Sequence, residues 1–428
     1  MKAALWLQSK EARDLLETAA HYPEDSLTRI SRLRKLTSPE YAAAIVEQLT
    51  LRKRGRNKFA NADLMLFTAA GLEQSTGDLI AQYRASRFPA NVSVLDACCG
   101  VGGDAVALAA DRNVIAVDLD PEAAACTHYN CRLARNTVHT LCADVTQLDL
   151  CLLASHGIQA AFFDPSRRVA ANSGEQRRAR ATDEYQPPLD WMHALRSAIP
   201  FSAAKVSPFV PDDTLIGFPG AVEFISAEGE CREAVLWPPD ASHVSLITPP
   251  NEAPLFTATT IDSNKVAHTL QPIKIAGRLN YDEPHQFIYE PDPAIVRAHL
   301  LNTLTAQIAG ASALDPTSYY LTSDTHVSTP FAGRYQVYDC MPLRPQDIQK
   351  RCTSLGLNIS AIKTRWSSFQ PEELRKKITG DKGSRVRGVV IVTKVLGRPS
   401  ALICGEVERA ATASDPLAAA MDACDNPE

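Results

Sequence analysis

From Val92 onward the chain alternates short apolar runs with amphipathic stretches, and this restricts its fold more than any other feature. Val92–Ala97, Val114–Val117, Val138–Cys142 and Ala160–Phe163 read as buried strands, with helical stretches at Gly103–Ala110 and Pro121–Asn136 separating the first three. Parallel strands need a crossover connection, which a helix supplies. The pattern therefore predicts a parallel sheet wound with helices on both faces. Ala203–Val206, Val222–Ile225 and Ala234–Leu236 are candidates for the remaining strands, the last two readable as an antiparallel pair. A loop rich in Arg, Ser and Gly, Ser166–Arg180, joins the fourth strand to the fifth.

The flanking regions differ in texture. The first ninety residues have helical apolar spacing, as in Glu11–Ala19, Pro39–Leu49 and Thr76–Ser86. The run Gly71-Leu72-Glu73-Gln74-Ser75-Thr76 is expected to interrupt it, with Ser75 or Thr76 capping the next helix. Beyond Trp237-Pro238-Pro239, prolines at 249, 250 and 254 and Thr257–Thr260 suggest a linker or small β region. Ile288–Pro293 reads as a strand entering a helix, Ala294–Gln307. Pro345–Leu402 reads as helix, strand, helix and two strands, Val386–Val395 and Ala401–Cys404. These shifts divide the chain into a helical region 1–90, an α/β domain 91–240, a small α+β or linker region 241–344, a module 345–405 and a fraying tail 406–428.

A chain of 428 residues is expected to hold more than one domain. Gln8, Lys10, Glu11 and Arg13 interrupt any secretory apolar segment, and no run is long enough to span a bilayer. The 11 cysteines form no Cys-x-x-Cys pair, so neither zinc nor a disulfide framework is expected, and a reducing cytoplasm fits. The net charge of −5 hides basic blocks: nine Lys/Arg between Arg29 and Lys58, and twelve between Lys350 and Arg398. Such blocks can meet a polyanion or simply be solvated helix faces.

The chemistry is expected at the carboxyl edge of the sheet. Asp96-Ala97-Cys98-Cys99-Gly100-Val101-Gly102-Gly103-Asp104 follows the first strand and opens a helix. Its glycines, Gly100, Gly102 and Gly103, let the backbone turn tightly beside a ligand. That loop alone suits a dinucleotide as well as S-adenosylmethionine. Asp118, ending the second strand, can accept both hydroxyls of a ribose, with Leu119 beside it. Asp144, after the third strand, can accept an adenine amine while Val145 offers its backbone N–H. Asp96 can orient the loop or receive a cationic amino group, which S-adenosylmethionine has and NAD lacks. Together the acids favour S-adenosylmethionine. Asp104 is expected to cap the helix, and an Asx turn at Asp144 is the structural alternative.

The fourth strand ends in Phe162-Phe163-Asp164-Pro165-Ser166-Arg167-Arg168. Pro165 sets a sharp exit that holds Asp164 over the pocket. Methyl transfer from a sulfonium demands mainly an aligned lone pair, so Asp164 is expected to position the acceptor. Arg167 and Arg168 can bind a substrate phosphate bidentately, or pair with local acids.

The segments Val94–Gly103 and Val114–Pro121 closely resemble the cofactor motifs of trimethylguanosine synthase and related RNA methyltransferases. The chain as a whole resembles a bacterial family of class I S-adenosylmethionine-dependent methyltransferases with a C-terminal THUMP-like domain. The matching runs include Gly71–Thr76, Phe163–Arg168, Tyr289–Ala298, Ile362–Arg365 and Pro371–Lys377. The resemblance implies a Rossmann-like seven-stranded sheet, an N-terminal helical region and an α+β THUMP-like module suited to RNA. It also implies a cofactor pocket lined by Asp96, Gly100, Gly102, Gly103, Asp118 and Asp144, with Asp164 facing the methyl group. One departure stands out: Ser166 and Arg167 occupy the places of the second proline and aromatic of the Pro-Pro-aromatic signature.

The expected function is methylation of structured RNA, tRNA or rRNA, with Asp164 and Pro165 at the reaction site. Arg167, Arg168, Lys363 and Arg365 would contact the substrate, and no metal is expected. Two other classes fit the same residues: a non-catalytic RNA-binding protein that keeps S-adenosylmethionine, and a methyltransferase acting on a protein or small molecule.

Overall fold

The computed structural model describes residues 5–23, 25–170, 176–178, 182–216, 218–239, 255–273, 279–365 and 371–405. They form two compact units, one of 1–222 and 233–255, the other of 223–232 and residues from 256 on.

The first unit opens with helices α1 (Lys10–Ala20), α2 (Ser26–Leu33), α3 (Pro39–Gly55), α4 (Ala69–Gln74) and α5 (Asp78–Ala85). Four have the capping chemistry that free N-terminal amides require: Ser9, Asp25, Ser38 and Thr68 each accept from a backbone N–H three residues on. The break expected over Gly71–Thr76 falls at its end: Gly71 to Gln74 lie inside α4, and residues 75–77 separate it from α5. Ser75 and Thr76 do not cap α5, whose N-cap is Gly77 with no side-chain hydrogen bond. Both hydroxyls are otherwise engaged: Ser75 Oγ donates to the Leu72 carbonyl, and Thr76 Oγ1 accepts from Lys205 Nζ. The helices bury Leu16, Ile45, Phe59 and Phe67 in a core that extends to Val101, Cys126 and Tyr129.

The alternating region follows as β1 (Ser93–Ala97), α6 (Gly103–Leu108), β2 (Asn113–Asp118), α7 (Pro121–Asn130), β3 (Val138–Cys142), α8 (Leu150–Ser155) and β4 (Ile158–Phe163). A short antiparallel ribbon, β5 (Arg168–Ala170) and β6 (Gln176–Arg178), comes next, then α9 (Trp191–Ala198), β7 (Phe201–Val206), β8 (Ala221–Ala227) and β9 (Glu230–Trp237). In this unit the strand order is β9-β7-β4-β1-β2-β3. β1 pairs in parallel with β2 and β4, placing Leu95 between Ile115 and Ala161. β9 runs antiparallel to β7. β1–β4 and β7–β9 are the seven strands of the class I methyltransferase sheet.

Two expectations are corrected here. β3 is not buried: it is an edge strand with a single neighbour, and Leu141 is 45% exposed. The helix expected over 121–136 stops at Asn130, followed by a single 3-10 turn, Cys131–Leu133. The Asn130 amide reaches the backbones of Leu66 and Val101.

In the second unit β8 neighbours β10 (Leu255–Ile261), which pairs antiparallel with β11 (Ala267–Leu270). A separate sheet has the order β13-β14-β12-β15-β18-β17-β16. Its strands are β12 (Phe287–Pro291), β13 (Ser312–Ala313), β14 (Leu321–Ser323), β15 (Ala332–Pro342), β16 (Asn358–Thr364), β17 (Arg387–Val395) and β18 (Arg398–Gly405). The helix expected over 294–307 is two, α10 (Pro293–Arg297) and α11 (Leu301–Gln307), separated at His299, whose φ of 57° leaves the helical region. α12 (Pro345–Ser354) and α13 (Pro371–Lys377) follow the expected order of this region. The tail from 406, the segment 240–254 and part of the loop 166–180 lie outside the described residues.

Candidate active site

Beyond Ala97 the backbone turns through Cys98, Gly100 and Gly102, with φ values of 68°, 58° and 84°. A Cβ on Gly102 would lie 3.1 Å from the Thr127 side chain, and one on Gly103 3.1 Å from Phe59 and 3.2 Å from the Thr76 carbonyl. These two glycines let α6 start hard against its neighbours. The loop is tied down on several sides. Gly100 N–H donates to Asp118 Oδ2 at 2.8 Å, Thr127 Oγ1 donates to the Gly100 carbonyl at 2.7 Å, and Asn130 Nδ2 donates to the Val101 carbonyl at 2.8 Å. Cys98 and Cys99 both donate their N–H to the Val117 carbonyl.

Asp118 thus braces the loop: Oδ2 takes the Gly100 amide and Oδ1 the Asp120 amide at 2.9 Å. Burial pushes its pKa upward against those hydrogen bonds. Leu119, next in sequence, is 70% exposed. Asp144 makes the Asx turn, its Oδ1 accepting from the Thr146 N–H and hydroxyl, while Val145 is buried.

Asp96 is wholly buried, and neither carboxylate oxygen has a hydrogen-bond partner among the described residues. It therefore does not orient the loop. Burial raises its pKa well above the ordinary value, and Asp104 and Asp164 push it the same way against Arg84. A buried, unpartnered acceptor suits a cationic ligand, which can supply the missing partner. The residues present therefore fit S-adenosylmethionine, which carries a cationic amino group.

Asp104 does not cap α6, whose N-cap is Gly102 without a side-chain bond. It is ion-paired instead with Arg84 of α5, which also pairs with Glu233 of β9. The Arg84 guanidinium lies 4.2 Å from the centroid of the Phe162 ring. Burial alone would lower the Arg84 pKa, but Asp104 and Glu233 reverse this and raise it.

At the end of β4 the Asp164 N–H donates to the Ala97 carbonyl at 3.1 Å, joining the two strand ends. Its carboxylate is partly exposed, and Oδ2 is ion-paired with Lys205 Nζ. Lys205 is buried and also donates to Thr76 Oγ1 at 3.0 Å. Pro165 is buried. Ser166 and Gln186 exchange backbone hydrogen bonds at 2.9 and 3.0 Å. Arg167 is half-buried, close enough to Tyr185 to oppose the upward push that burial gives the phenol. Arg168 opens β5, opposite Arg178. The structure thus gathers Asp96, Gly100, Gly102, Gly103, Asp118 and Asp164 around the ends of β1, β2 and β4.

Lys363 and Arg365 lie in the second unit. Lys363 is ion-paired with Glu290, whose other oxygen lies 3.7 Å from Arg365 Nη2. Sequence reasoning passed over Arg84, Lys205 and Glu233. The available signal was a single charge in an otherwise apolar strand or helix, as in Phe201-Ser202-Ala203-Ala204-Lys205-Val206, since a charge is rarely buried unless paired.

Comparison with known proteins agrees with this architecture. Residues 91–176 match the family model of RNA cap guanine-N2 methyltransferase, 332–406 match THUMP domain-like, and 1–55 match a domain of unknown function. An uncharacterized S-adenosylmethionine-dependent methyltransferase, found in two strains of Mycobacterium tuberculosis, is 28% identical over 368 residues, covering 81% of this chain and 91% of the relative. A crystal structure from Porphyromonas gingivalis W83, of a protein assigned as a methyltransferase, superposes with a TM-score of 0.73. It covers 93% of this chain and 98% of its own at 21% identity, which carries the fold. Fold and site define a class I methyltransferase. The protein is an S-adenosylmethionine-dependent enzyme of that class, with a THUMP-like region toward its carboxyl end. No helix among the described residues is long and apolar enough to cross a membrane.

Proposed function

We propose that the protein methylates structured RNA, a tRNA or rRNA, and that Asp164 positions the acceptor. The observation that carries the reading is the state of the Asp164 carboxylate. Its backbone is fixed to the end of β1, Oδ2 is held by Lys205, and Oδ1 has no hydrogen bond among the described residues. A partly exposed, oriented carboxylate oxygen beside the cofactor loop can accept a hydrogen bond from the N–H or O–H of an acceptor and aim its lone pair. S-adenosylmethionine, when bound, supplies an electrophilic methyl group on a sulfonium. In this reading Asp96 takes its amino group, Asp118 the ribose hydroxyls, Leu119 and Val145 flank the adenine, and Asp144 offers its second oxygen to the adenine amine. Gly100, Gly102 and Gly103 leave the backbone room for the ligand. Pro165 fixes the exit from β4, and Arg167 and Arg168 take a substrate phosphate.

RNA as substrate is supported by two family matches, RNA cap guanine-N2 methyltransferase at 91–176 and THUMP domain-like at 332–406. It is supported also by charge: Arg375, Lys376, Lys377, Lys382, Arg385 and Arg387 are exposed. Such residues give phosphate contacts that are salt-dependent and largely indifferent to sequence. We assign catalysis to the domain 91–240 and RNA holding to 345–405.

The test uses methyl-labelled S-adenosylmethionine and whole-cell RNA from a strain lacking the gene, digested to nucleosides after reaction. Labelled nucleoside is expected from the wild type, and Asp164→Ala should lose it while cofactor binding by calorimetry survives. Undiminished transfer by Asp164→Ala would remove Asp164 from the reaction, and label in protein rather than RNA would replace the substrate.

A further inference from the structure

Two charges inside the first unit are placed as nothing in the cofactor chemistry requires. Lys205 stands on β7, one residue beyond Ala204, which pairs with Phe163 of β4, so its side chain lies beside the residue that follows β4, Asp164. It is 4% exposed, yet it carries a charged amine that donates to Asp164 Oδ2 and Thr76 Oγ1. Thr76 is itself buried, between α4 and α5. A desolvated lysine is expensive to keep, and a simple structural brace between β7 and β4 is more cheaply made from apolar side chains. Arg84, another buried cation of this unit, is committed to Asp104 and Glu233. Lys205 is the cation directed at the carboxylate of the reaction site.

Resting on the reading of Asp164 as the carboxylate that meets the acceptor, we propose that Lys205 is a positioning residue of the transfer step. It holds the Asp164 carboxylate in one orientation through Oδ2, so that Oδ1 alone is presented to the acceptor. Thr76 in turn holds the ammonium, its Oγ1 accepting from Lys205 Nζ at 3.0 Å. The arrangement favours one kind of acceptor. A carboxylate neutralised by a neighbouring ammonium accepts a hydrogen bond well but is a poor base, because protonating it would leave the buried Lys205 charge without its partner. It therefore serves an N–H acceptor whose nitrogen lone pair attacks first and gives up its proton to solvent water afterwards. It serves less well a hydroxyl that must be deprotonated before it can attack. On an RNA substrate that chemistry is a base nitrogen bearing a hydrogen, in place of a ribose 2′-hydroxyl.

The test compares the wild type with Lys205→Met, Lys205→Arg and Thr76→Val. One readout needs no substrate: the carboxyl carbon-13 resonance of Asp164 in protein labelled at aspartate, assigned through Asp164→Asn. Lys205→Met should displace that resonance from its wild-type position at neutral pH, with Lys205→Arg nearer the wild type. S-adenosylmethionine affinity by calorimetry should be unchanged in all three. With RNA from the gene-deleted strain and methyl-labelled cofactor, Lys205→Met should lower turnover by about 100-fold, as misplacement of a positioned group does. It should move the acid limb of the pH–rate profile upward, and Lys205→Arg should restore part of both. The label should reside on a base nitrogen; label on a 2′-oxygen would overturn the acceptor assignment. Full turnover by a folded Lys205→Met would overturn the positioning role, because a purely structural lysine would leave transfer in place. Should the wild type label protein or a small molecule and no RNA, the RNA reading fails, while the same turnover comparison on that acceptor still decides the role of Lys205.

Discussion

Arg84 on α5 and Asp104 in the first turn of α6 form an ion pair whose side chains are only 2% and 12% exposed, and Glu233 takes the other arm of the same guanidinium. One arginine thereby ties the N-terminal helices to the cofactor loop and to the last strand of the first unit. Removing one member of a buried pair leaves its partners desolvated without compensation, which costs roughly 3–5 kcal/mol. Arg84→Met should lower the unfolding free energy by that amount in urea titrations and weaken cofactor binding with it. Arg84→Met combined with Glu233→Gln should cost less than the sum of the two single changes, in a double-mutant cycle on the same urea transitions.

Gly102 offers a separate test of the loop. Its φ of 84° is unfavourable for any other residue, and a Cβ would stand 3.2 Å from the Thr127 backbone. Gly102→Ala should cost about 1–3 kcal/mol in stability and reduce S-adenosylmethionine affinity in titration calorimetry. Gly157, with a φ of 91° and nothing near its Cβ position, should suffer the backbone strain without losing affinity when changed to Ala.

How far these features could be read from sequence depends on their range. The strands and the loop were legible because apolar alternation and Gly spacing are local: β3 falls where the pattern puts it, Val138–Cys142. The exposure of β3 was not legible, since an apolar run reads the same at an edge as in the middle of a sheet. Asp104 and Thr76 were misread as helix caps because a capping residue and the partner of a distant cation look alike in sequence. Arg84 pairs with Glu233 across 149 positions and Lys205 with Thr76 across 129. Only the fold brings them together.

In the proposed reading, where Asp96 takes the cofactor's amino group, cofactor loading depends on pH. The Asp96 pKa is raised above the ordinary carboxylate range, first by burial, then by Asp104 and Asp164. The native state therefore favours its protonated form, and the stability this gives is full below the unfolded value of 3.8 and lost as pH rises through the folded pKa. A cationic cofactor favours the ionised form, so binding expels a proton, and affinity should rise with pH up to that folded pKa and then level off. Calorimetry of S-adenosylmethionine binding in two buffers of different ionisation enthalpy should show net proton release, which Asp96→Asn should abolish. Equal heats in both buffers for the wild type would contradict the linkage.

The basic residues of the second unit divide into two sets with opposite expected behaviour. Lys363 and Arg365 share Glu290, which burial would push up in pKa but which Lys363, Tyr335 and Arg365 hold below its ordinary value. The linkage has the opposite sign to that of Asp96: the stability is present above the ordinary carboxylate range and is lost as pH falls through the folded pKa of Glu290. Lys363 is about a third exposed, so Lys363→Met should cost only about 1 kcal/mol at neutral pH, and less in acid. It should change RNA affinity little, because a cation already matched to a carboxylate releases few counterions from a phosphate. Arg375, Lys376 and Lys377 in the last turn of α13 are exposed instead. Changing those three to Gln should leave the urea midpoint nearly unmoved and weaken RNA binding. The slope of log affinity against log salt should fall by about 0.7–0.9 for each phosphate that is no longer neutralised. Gel-shift titrations at several salt concentrations measure both quantities. A greater drop in slope from Lys363→Met than from the triple change would reverse the assignment of the two sets.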